Sequence, residues 1–434
     1  MLVLHHAIQI QRLEDGRVEL SLTTGEAQVL RMAPQVAMII SLFDGARSLA
    51  AVQEEAARHS LRVGAERLAA LANDLKASGF LVPVEEVPRQ TLPKARVTCA
   101  GCTDCCHLLG GPMSEREISV IEALDWDAHG VTPPSPWLQT VNGERAYLAQ
   151  TETDACVFLQ NDGLCLIHKH FGAEAKPSSC RLFPIVPIRR AGVLRLGVSF
   201  ECPSQHLAVR EGESLQEAGE KLEQVIAEAT RGWPMLPDVD PGEDLWRCVV
   251  GPPAPNAPFQ AAIALCRTTA ALPPGDKRLP DLLTFLAAQM VQDPEVSERV
   301  AQAEDAFRVA IEALCDEYQS NALQPLPTLD GDASNYLLDY LKNQVYLGEP
   351  AGRLGIGVGV SVWALACILG VRLAAAHAGA SCPLSAEATA LGLSQAVAGL
   401  RCLDLVPRLS GFGSIAVGEL ERMLSALLGS SPRG

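Results

Sequence analysis

Residues 99–107 read CAGCTDCCH, and the fold of the central part of the chain follows from this short run. Its thiols are those of Cys99, Cys102, Cys105 and Cys106. Two-residue gaps let successive thiolates turn toward one centre while the intervening backbone N–H groups point at the sulfurs. Gly101 supplies the backbone freedom that such a loop needs. The run therefore predicts a metal-binding loop.

Four more cysteines follow downstream, each with distinctive neighbours. They are Cys156 in CVFL, Cys165 in GLCLIH, Cys180 in CRLFP, and Cys202, which precedes Pro203. One [4Fe–4S] cluster takes four cysteines, so eight thiols exceed the needs of one cluster. Either two centres share the eight thiols, or some of the thiols are not ligands.

Zinc is the direct competitor of iron for these thiolates. Four-cysteine zinc sites are commonly built from two Cys-x2-Cys pairs. Here one Cys-x2-Cys-x2-Cys-Cys run is combined with four dispersed cysteines, a spacing that favours iron–sulfur over zinc. The other six of the 14 cysteines are scattered from Cys248 to Cys402, and we interpret them as core residues.

Composition narrows the choice of partners and compartment. The 434 residues carry a net charge of −16, which argues against nucleic acid and anionic lipid as partners. The first residues have no basic region before an apolar run, so we expect a cytoplasmic protein without a signal peptide. In a reducing cytosol, clustered thiols indicate metal ligands more often than disulfides.

The N-terminal residues 1–85 predict a winged-helix-like α+β module. A hairpin is expected over residues 8–22 around Asp15-Gly16, followed by helices over 48–59 and 65–77 and a strand over 80–84. The charges of the second helix sum to zero, so the pattern favours peptide or intramolecular docking over DNA binding. The module resembles the small peptide-recognition domains of the PqqD type.

The rest of the chain predicts a mainly α protein in two further parts. Residues 94–205 form a loop-rich cysteine domain, and residues 258–430 form an α-helical domain with apolar spacing along 259–272, 280–292, 295–320, 334–347, 385–400 and 414–428. Residues 354–371 carry no charge and just reach the length of a membrane span. Because glycines weaken the hydrophobicity of this stretch, we expect a buried central helix and no membrane partner.

The ordered cysteines carry a family resemblance. The run from Cys99 to Cys106, followed by CVFL, GLCLIH and CRLFP, resembles the YkgJ-like, zinc- or iron-chelating family that is named for its CxxCxxCC motif. Cys202-Pro203 and the helical C-terminal part make the chain most similar to the flagellin lysine-N-methylases. That resemblance implies a [4Fe–4S] cluster and S-adenosylmethionine-dependent methylation of lysines on a protein surface. It also implies cluster ligands drawn from Cys99, Cys102, Cys105, Cys106, Cys156, Cys165, Cys180 and Cys202.

Several polar residues adjoin the candidate ligands. His107, His168 and His170 would bind metal or donate hydrogen bonds to cluster sulfurs, and the expectation is that they lie behind the ligands or are simply solvated. Arg181 follows Cys180 directly and would offset the negative charge of the thiolates. Neither a radical S-adenosylmethionine motif nor a Rossmann-type one is found, because position 109 is Leu109 and the glycines at 355–359 follow no strand pattern.

A candidate catalytic group lies in the helical domain. Tyr336 and Tyr340 are one turn apart with Asp339 beside them, and they could accept a methylsulfonium cation. The competing interpretation, which we favour, is an amphipathic helix that packs its aromatic residues into the core. The alternative to an enzyme is a non-enzymatic metal-binding or electron-transfer protein. In either case the expected partner is a protein or peptide, and for the enzyme one with a lysine-rich surface.

Overall fold

The computed structural model describes residues 2–4, 8–13, 15–22, 28–43, 48–58, 60–83, 89–108, 113–141, 145–152, 155–190, 193–230, 242–249, 257–269, 283, 298–347, 356–379, 383–402 and 413–428. The protein is mainly α-helical with small β sheets, which confirms the predicted fold class. It divides into two compact units. Unit 1 comprises residues 1–92, 187–196 and 226–240, and unit 2 comprises residues 93–186, 197–225 and 241–434. The predicted division into three parts stays a prediction.

Unit 1 holds the predicted N-terminal hairpin. Strands β2 (Ile8–Arg12), β3 (Val18–Leu22) and β4 (Gln28–Met32) form an antiparallel meander, and β1 (Leu2–Leu4) pairs with β5 (Leu81–Pro83). The first turn is possible because Gly16 adopts φ 82°. Helices α1 (Pro34–Ser41), α2 (Leu49–Arg58) and α3 (Ala65–Ala77) cover the sheet residues Leu20 and Leu22 in one apolar core. The predicted helices at 48–59 and 65–77 are thereby confirmed.

The cysteine region contains more strand than predicted. Its elements are β6 (Arg89–Thr91), β7 (Arg96–Val97), α4 (Glu115–Glu122), β8 (Leu138–Val141), β9 (Arg145–Leu148), α5 (Leu166–Phe171), α6 (Ser178–Leu182), β10 (Ile185–Arg190), β11 (Val193–Val198) and β12 (Glu213–Ser214). Strands β8 and β9 form a hairpin, β12 pairs with β7, and β6 runs parallel to β11.

The C-terminal part of the chain is helical. Its helices are α7 (Ala208–Glu211), α8 (Leu215–Lys221), α9 (Glu223–Ala229), α10 (Gly242–Val249), α11 (Ala257–Thr269), α12 (Glu298–Gln319), α13 (Gly331–Leu347), α14 (Ile356–Ala378), α15 (Ala386–Cys402) and α16 (Gly413–Leu427). The predicted helix over 280–292 lies outside the described residues, except for a helical Leu283.

The apolar helix α14 is the centre of the helical part of unit 2. Residues 359–378 are long and apolar enough to cross a bilayer, and most of this stretch is buried inside the protein. It packs against α15, α16 and α11, and the side chain of Trp363 is 1 % exposed. This burial is what we expect of a core helix, and it agrees with the predicted central helix.

Helix α13 is fastened to the end of β11 by a side chain. The Asn343 side-chain amide donates to the carbonyl of Val198 and accepts from the Val198 N–H, both at 2.9 Å. Asn343 is fully buried, where every polar group needs a partner. Its amide therefore pairs with the backbone N–H and carbonyl of Val198 in the way that a neighbouring strand would. Gly197 makes this close approach possible, because a Cβ there would lie 2.5 Å from the Asn343 side-chain oxygen.

Candidate metal centre

The CxxCxxCC run forms a tight loop that ends in a 3₁₀ turn over Asp104–His107. Gly101 and Thr103 both lie in the left-handed region, at φ 66° and φ 68°, and they reverse the chain between the first and third thiols. The N–H of Cys106 donates to the carbonyl of Thr103 at 2.7 Å and closes the turn. The predicted need for a glycine at position 101 is confirmed.

Backbone N–H groups donate to several of the sulfurs. In three places the donor is the residue two positions after the cysteine: Asp104 to Cys102, Phe158 to Cys156, and Ser204 to Cys202. The Ser204 hydroxyl adds a hydrogen bond to the Cys102 sulfur, at 3.3 Å. Such hydrogen bonds stabilise a thiolate and tune the metal that it binds, although burial outweighs them and raises the pKa of Cys102, Cys156 and Cys202.

A short series of backbone hydrogen bonds, called here the ladder, brings Cys156 and Cys165 close to the end of the CxxCxxCC run. The N–H of Cys156 donates to the carbonyl of Cys106 at 2.7 Å, which places Cys156 beside the end of the CxxCxxCC run. Farther along, Gly163 at φ 79° turns the chain so that Leu159 pairs with Cys165 in an antiparallel bridge. The N–H of Leu159 donates to the carbonyl of Cys156 at 2.8 Å and completes the ladder.

Helix α6, which carries Cys180, is fixed through Glu117. Ser114 and Glu117 form a capping box at the start of α4. The other Glu117 oxygen accepts from the backbone and side chain of Ser178, at 2.8 and 2.7 Å. Burial alone would raise the pKa of Glu117, but the hydrogen bonds from Ser114 and Ser178 outweigh it and lower that pKa.

An aromatic core supports the loops. Trp126 stacks on Phe158 at a ring separation of 6.1 Å and meets the edge of Phe171 at 4.8 Å. Cys156 and Cys165 pack against this core and are only half-buried. Their thiols therefore lie at the border between the apolar core and the loops, where they are partly removed from water.

Burial and mutual repulsion favour the protonated form of most of these thiols. Burial raises the pKa of Cys156 and of Cys180 to about 11 and that of Cys202 to about 12, and neighbouring thiolates add to the rise. The pair Cys105 and Cys106 behaves differently, because a hydrogen bond between their side chains raises the pKa of Cys105 and lowers that of Cys106. Cys106 is therefore the thiol most ready to carry the first negative charge of this pair.

Sequence reasoning missed one cation. The positive charge of Lys176 acts to lower the pKa of Cys105, Cys156 and Cys180. Burial and, for Cys105, the hydrogen bond with Cys106 outweigh this charge, so all three pKa values are still raised. Lys176 lies four residues before Cys180 and two residues before the start of α6, a spacing that could have signalled it. The predicted cation, Arg181, instead donates to Glu174. Its role toward a metal centre stays a prediction.

The histidines flank the site. His107 ends the 3₁₀ turn and is half-buried, whereas His168 is exposed on α5. The His170 ring lies at the edge of the His129 ring, with 5.6 Å between the centroids. The roles predicted for these histidines stay predictions.

The tyrosine group of α13 lies close to one of the cysteines. The rings of Tyr336 and Tyr340 pack on Phe200, at 5.2 and 5.4 Å, two residues before Cys202. Both tyrosines are buried, and the Tyr336 hydroxyl is buried without a hydrogen-bond partner. Asp339 is about half exposed and pairs with Lys342 at 3.0 Å. The arrangement is that of a packed core face.

The donor set suits a thiophilic metal. Soft thiolates select zinc and iron–sulfur clusters, and the twelve cysteines whose side chains the structure describes form no disulfide. Within the described part of the chain, no three His, Cys, Asp or Glu side chains are arranged to hold one ion.

Comparison with known proteins gives one family match. Residues 98–206 match the model of the CxxCxxCC family, which is described as a candidate zinc- or iron-chelating domain. The match covers all eight clustered cysteines and ends just after Cys202. Neither curated proteins nor solved structures gave a match. Metal chelation by the cysteine region therefore has support from both the family model and the donor set.

Proposed function

We propose that the chain is an iron–sulfur protein that serves S-adenosylmethionine-dependent N-methylation of lysines on a partner protein. The observation that carries the metal centre is the gathering of eight thiols in one unit, with backbone N–H groups aimed at three of the sulfurs. The methylase part rests on the resemblance of the cysteine order and the helical C-terminal part to YkgJ-like proteins and, within them, to the flagellin lysine-N-methylases.

The reaction itself needs no oxidant or reductant. An uncharged lysine Nζ forms a bond to the methyl carbon while the sulfonium C–S bond breaks, and the products are methyl-lysine, S-adenosylhomocysteine and one proton. The net charge of −16 would attract a lysine-rich partner. The burial of Tyr336 and Tyr340 does not fit a site open to S-adenosylmethionine, so no step is assigned to them or to Asp339.

A second candidate is a non-enzymatic metal-binding or electron-transfer protein. It is favoured by the exposure of Cys99, Cys102 and Cys105, because a centre that exchanges electrons with a partner must lie near the surface. In both proposals the partner is a protein or peptide, and the N-terminal module is its docking part.

Two measurements test these proposals in order. Iron, zinc and labile sulfide are determined on anaerobically purified protein together with an electron paramagnetic resonance spectrum. Stoichiometric zinc without sulfide would remove the iron–sulfur centre. Methyl transfer from isotope-labelled S-adenosylmethionine to flagellin is then compared with transfer to lysine-acetylated flagellin. Labelling of the unmodified protein alone supports the methylase, whereas no labelling together with a reversible redox couple supports the electron carrier.

A further inference from the structure

We propose that the eight cysteines form two separate four-thiolate metal centres, which meet at the peptide bond between Cys105 and Cys106. This inference rests on the metal centre proposed above, and it adds the division of the eight thiols into two centres. The first group, named here the Cys156 set, comprises Cys106, Cys156, Cys165 and Cys180. The second group, the Cys202 set, comprises Cys99, Cys102, Cys105 and Cys202.

The Cys156 set is connected by its backbone. Cys156 donates to the carbonyl of Cys106 at 2.7 Å and accepts from the N–H of Leu159 at 2.8 Å, and Leu159 is paired with Cys165. Three of its four members thus lie along one hydrogen-bonded ladder. All four are half-buried, and Cys156 and Cys165 contact the aromatic core.

The Cys202 set is held together by side chains of the turn that follows Cys202. The Ser204 hydroxyl reaches the Cys102 sulfur at 3.3 Å. The Gln205 side chain donates to the carbonyl of Arg96 at 2.7 Å. Cys99 lies three residues after Arg96, and Cys202 lies three residues before Gln205, so this bond draws the two ends of the set together.

Electrostatic coupling divides the thiols in the same way. Apart from its bond to Cys105, Cys106 is repelled by thiolates of Cys156, Cys165 and Cys180. After burial, the charges that act against Cys202 are those of Cys102, Cys105 and Cys99. Cys105 also acts on Cys180, as expected of a residue at the boundary.

Ligand chemistry agrees with two centres of four. A tetrahedral zinc ion takes four thiolates, and so does a [4Fe–4S] cluster. Sharing one closely spaced cysteine run between two centres is also the arrangement of two-cluster ferredoxins, in which one cysteine of the run ligates the other cluster. The eight thiols therefore match two centres without a surplus ligand.

The test is a titration of the full-length, reduced, metal-free protein with Co²⁺ and with Zn²⁺. Wild-type protein is expected to bind about two equivalents, with the absorption of tetrahedral cobalt thiolate. The within-set double variants Cys165→Ser/Cys180→Ser and Cys99→Ser/Cys102→Ser each lose about one equivalent. The cross-set variant Cys102→Ser/Cys165→Ser loses both. Binding of a single equivalent by the wild type, or equal losses in the within-set and cross-set variants, would overturn the division.

Controls separate this inference from the function on which it rests. Cys248→Ser changes a half-buried cysteine of α10 outside both sets and is expected to keep both equivalents. The wild-type stoichiometry decides the number of centres even where a double variant fails to fold. A wild type that binds no metal defeats the metal centre together with its division. If the wild type binds two equivalents of metal but methyl transfer is not observed, the division into two centres still holds and only the methylase proposal is contradicted.

Discussion

At the scale of single residues, Lys176 offers a way to measure the electrostatics of the thiols. Its charge favours the thiolate forms of Cys105, Cys156 and Cys180. We expect Lys176→Gln to weaken zinc binding about threefold to tenfold, because the bound state keeps its negative sulfurs without the nearby cation. Competition with a chromophoric chelator measures this change.

The matched control for Lys176 is Lys169→Gln, which removes the same charge from the same stretch of chain. The Lys169 ammonium is exposed and pairs with Asp162 at 2.6 Å. Its loss is expected to leave zinc affinity within about a factor of two, since exposed pairs contribute little. Equal weakening by both variants would show that only the net charge of the chain matters, and it would remove the specific role of Lys176.

The buried hydroxyl of Tyr336 is a second residue-scale test. A buried hydroxyl without a partner costs about 1 to 3 kcal/mol, so Tyr336→Phe is expected to maintain or raise the free energy of unfolding of the metal-free protein. Tyr336→Leu removes the ring that packs on Phe200 and is expected to lower it by about 2 kcal/mol. Denaturant unfolding compares the two variants. A loss in the phenylalanine variant would mean that the hydroxyl has a partner.

At the scale of elements, helices α14 and α15 meet through two glycines. A Cβ at Gly392 would lie 2.2 Å from the carbonyl of Gly370 and 2.5 Å from the backbone nitrogen of Ala374. Because these are backbone atoms, the helices must separate to accept it. We expect Gly392→Ala to lower the free energy of unfolding by about 1 to 3 kcal/mol.

A glycine without neighbours gives the comparison. A Cβ at Gly331, the first residue of α13, would meet nothing within 4 Å. Gly331→Ala is expected to leave stability unchanged or to raise it by up to about 1 kcal/mol, because alanine favours the helix. Denaturant unfolding followed by tryptophan fluorescence, to which the buried Trp363 contributes, measures both variants. Equal stability of the two alanine variants would contradict the close helix contact.

The ion pair between α12 and α14 predicts a pH dependence. Arg372 donates two hydrogen bonds to Glu317, at 2.9 and 2.7 Å, and the Gln324 N–H adds one at 2.9 Å. Burial opposes them, but together they hold the pKa of Glu317 below its usual 4.5. The unfolded state therefore binds the proton more readily, so this contribution to stability is present above about pH 4.5 and lost as the pH falls through the lowered pKa.

The variant Glu317→Gln isolates that contribution. At neutral pH it is expected to lower the free energy of unfolding by about 1 to 2 kcal/mol, since Arg372 is left half-buried without its partner carboxylate. The difference between wild type and variant should shrink when unfolding is measured below pH 4.5. A difference that stays constant down to pH 3 would contradict the lowered pKa.

Elements that depend on local signals were predictable from the sequence. The helix over Ala65–Ala77, the hairpin around Gly16 and the capping box of Ser114 all depend on neighbours within a few residues. The parallel pair of β6 and β11 joins segments that are about a hundred residues apart in sequence, and each strand is too short for its alternation to be distinctive. Non-local pairing explains why these strands were missed.

At the scale of the whole molecule, the candidate site was predictable as a set of residues but not as an arrangement. Spacing and neighbours pointed to the eight cysteines. Their division in space is set by contacts between distant segments, such as Ser204 with Cys102, which leave no local trace in the sequence. The same holds for the pairing of Arg181 with Glu174 and for the buried position of Tyr336 beside Phe200.

All eight cysteines belong to unit 2, and this gives the last prediction. Metal that binds only the folded state stabilises what it holds, by about 2.7 kcal/mol at a free concentration one hundred times the Kd. Amide hydrogen exchange of α5, which begins directly after Cys165, is therefore expected to slow by up to about a hundredfold on loading with Zn²⁺. Exchange in α3 of unit 1 is the internal reference and should stay within about twofold. An unchanged α5, or equal protection of α3, would contradict a metal centre confined to unit 2.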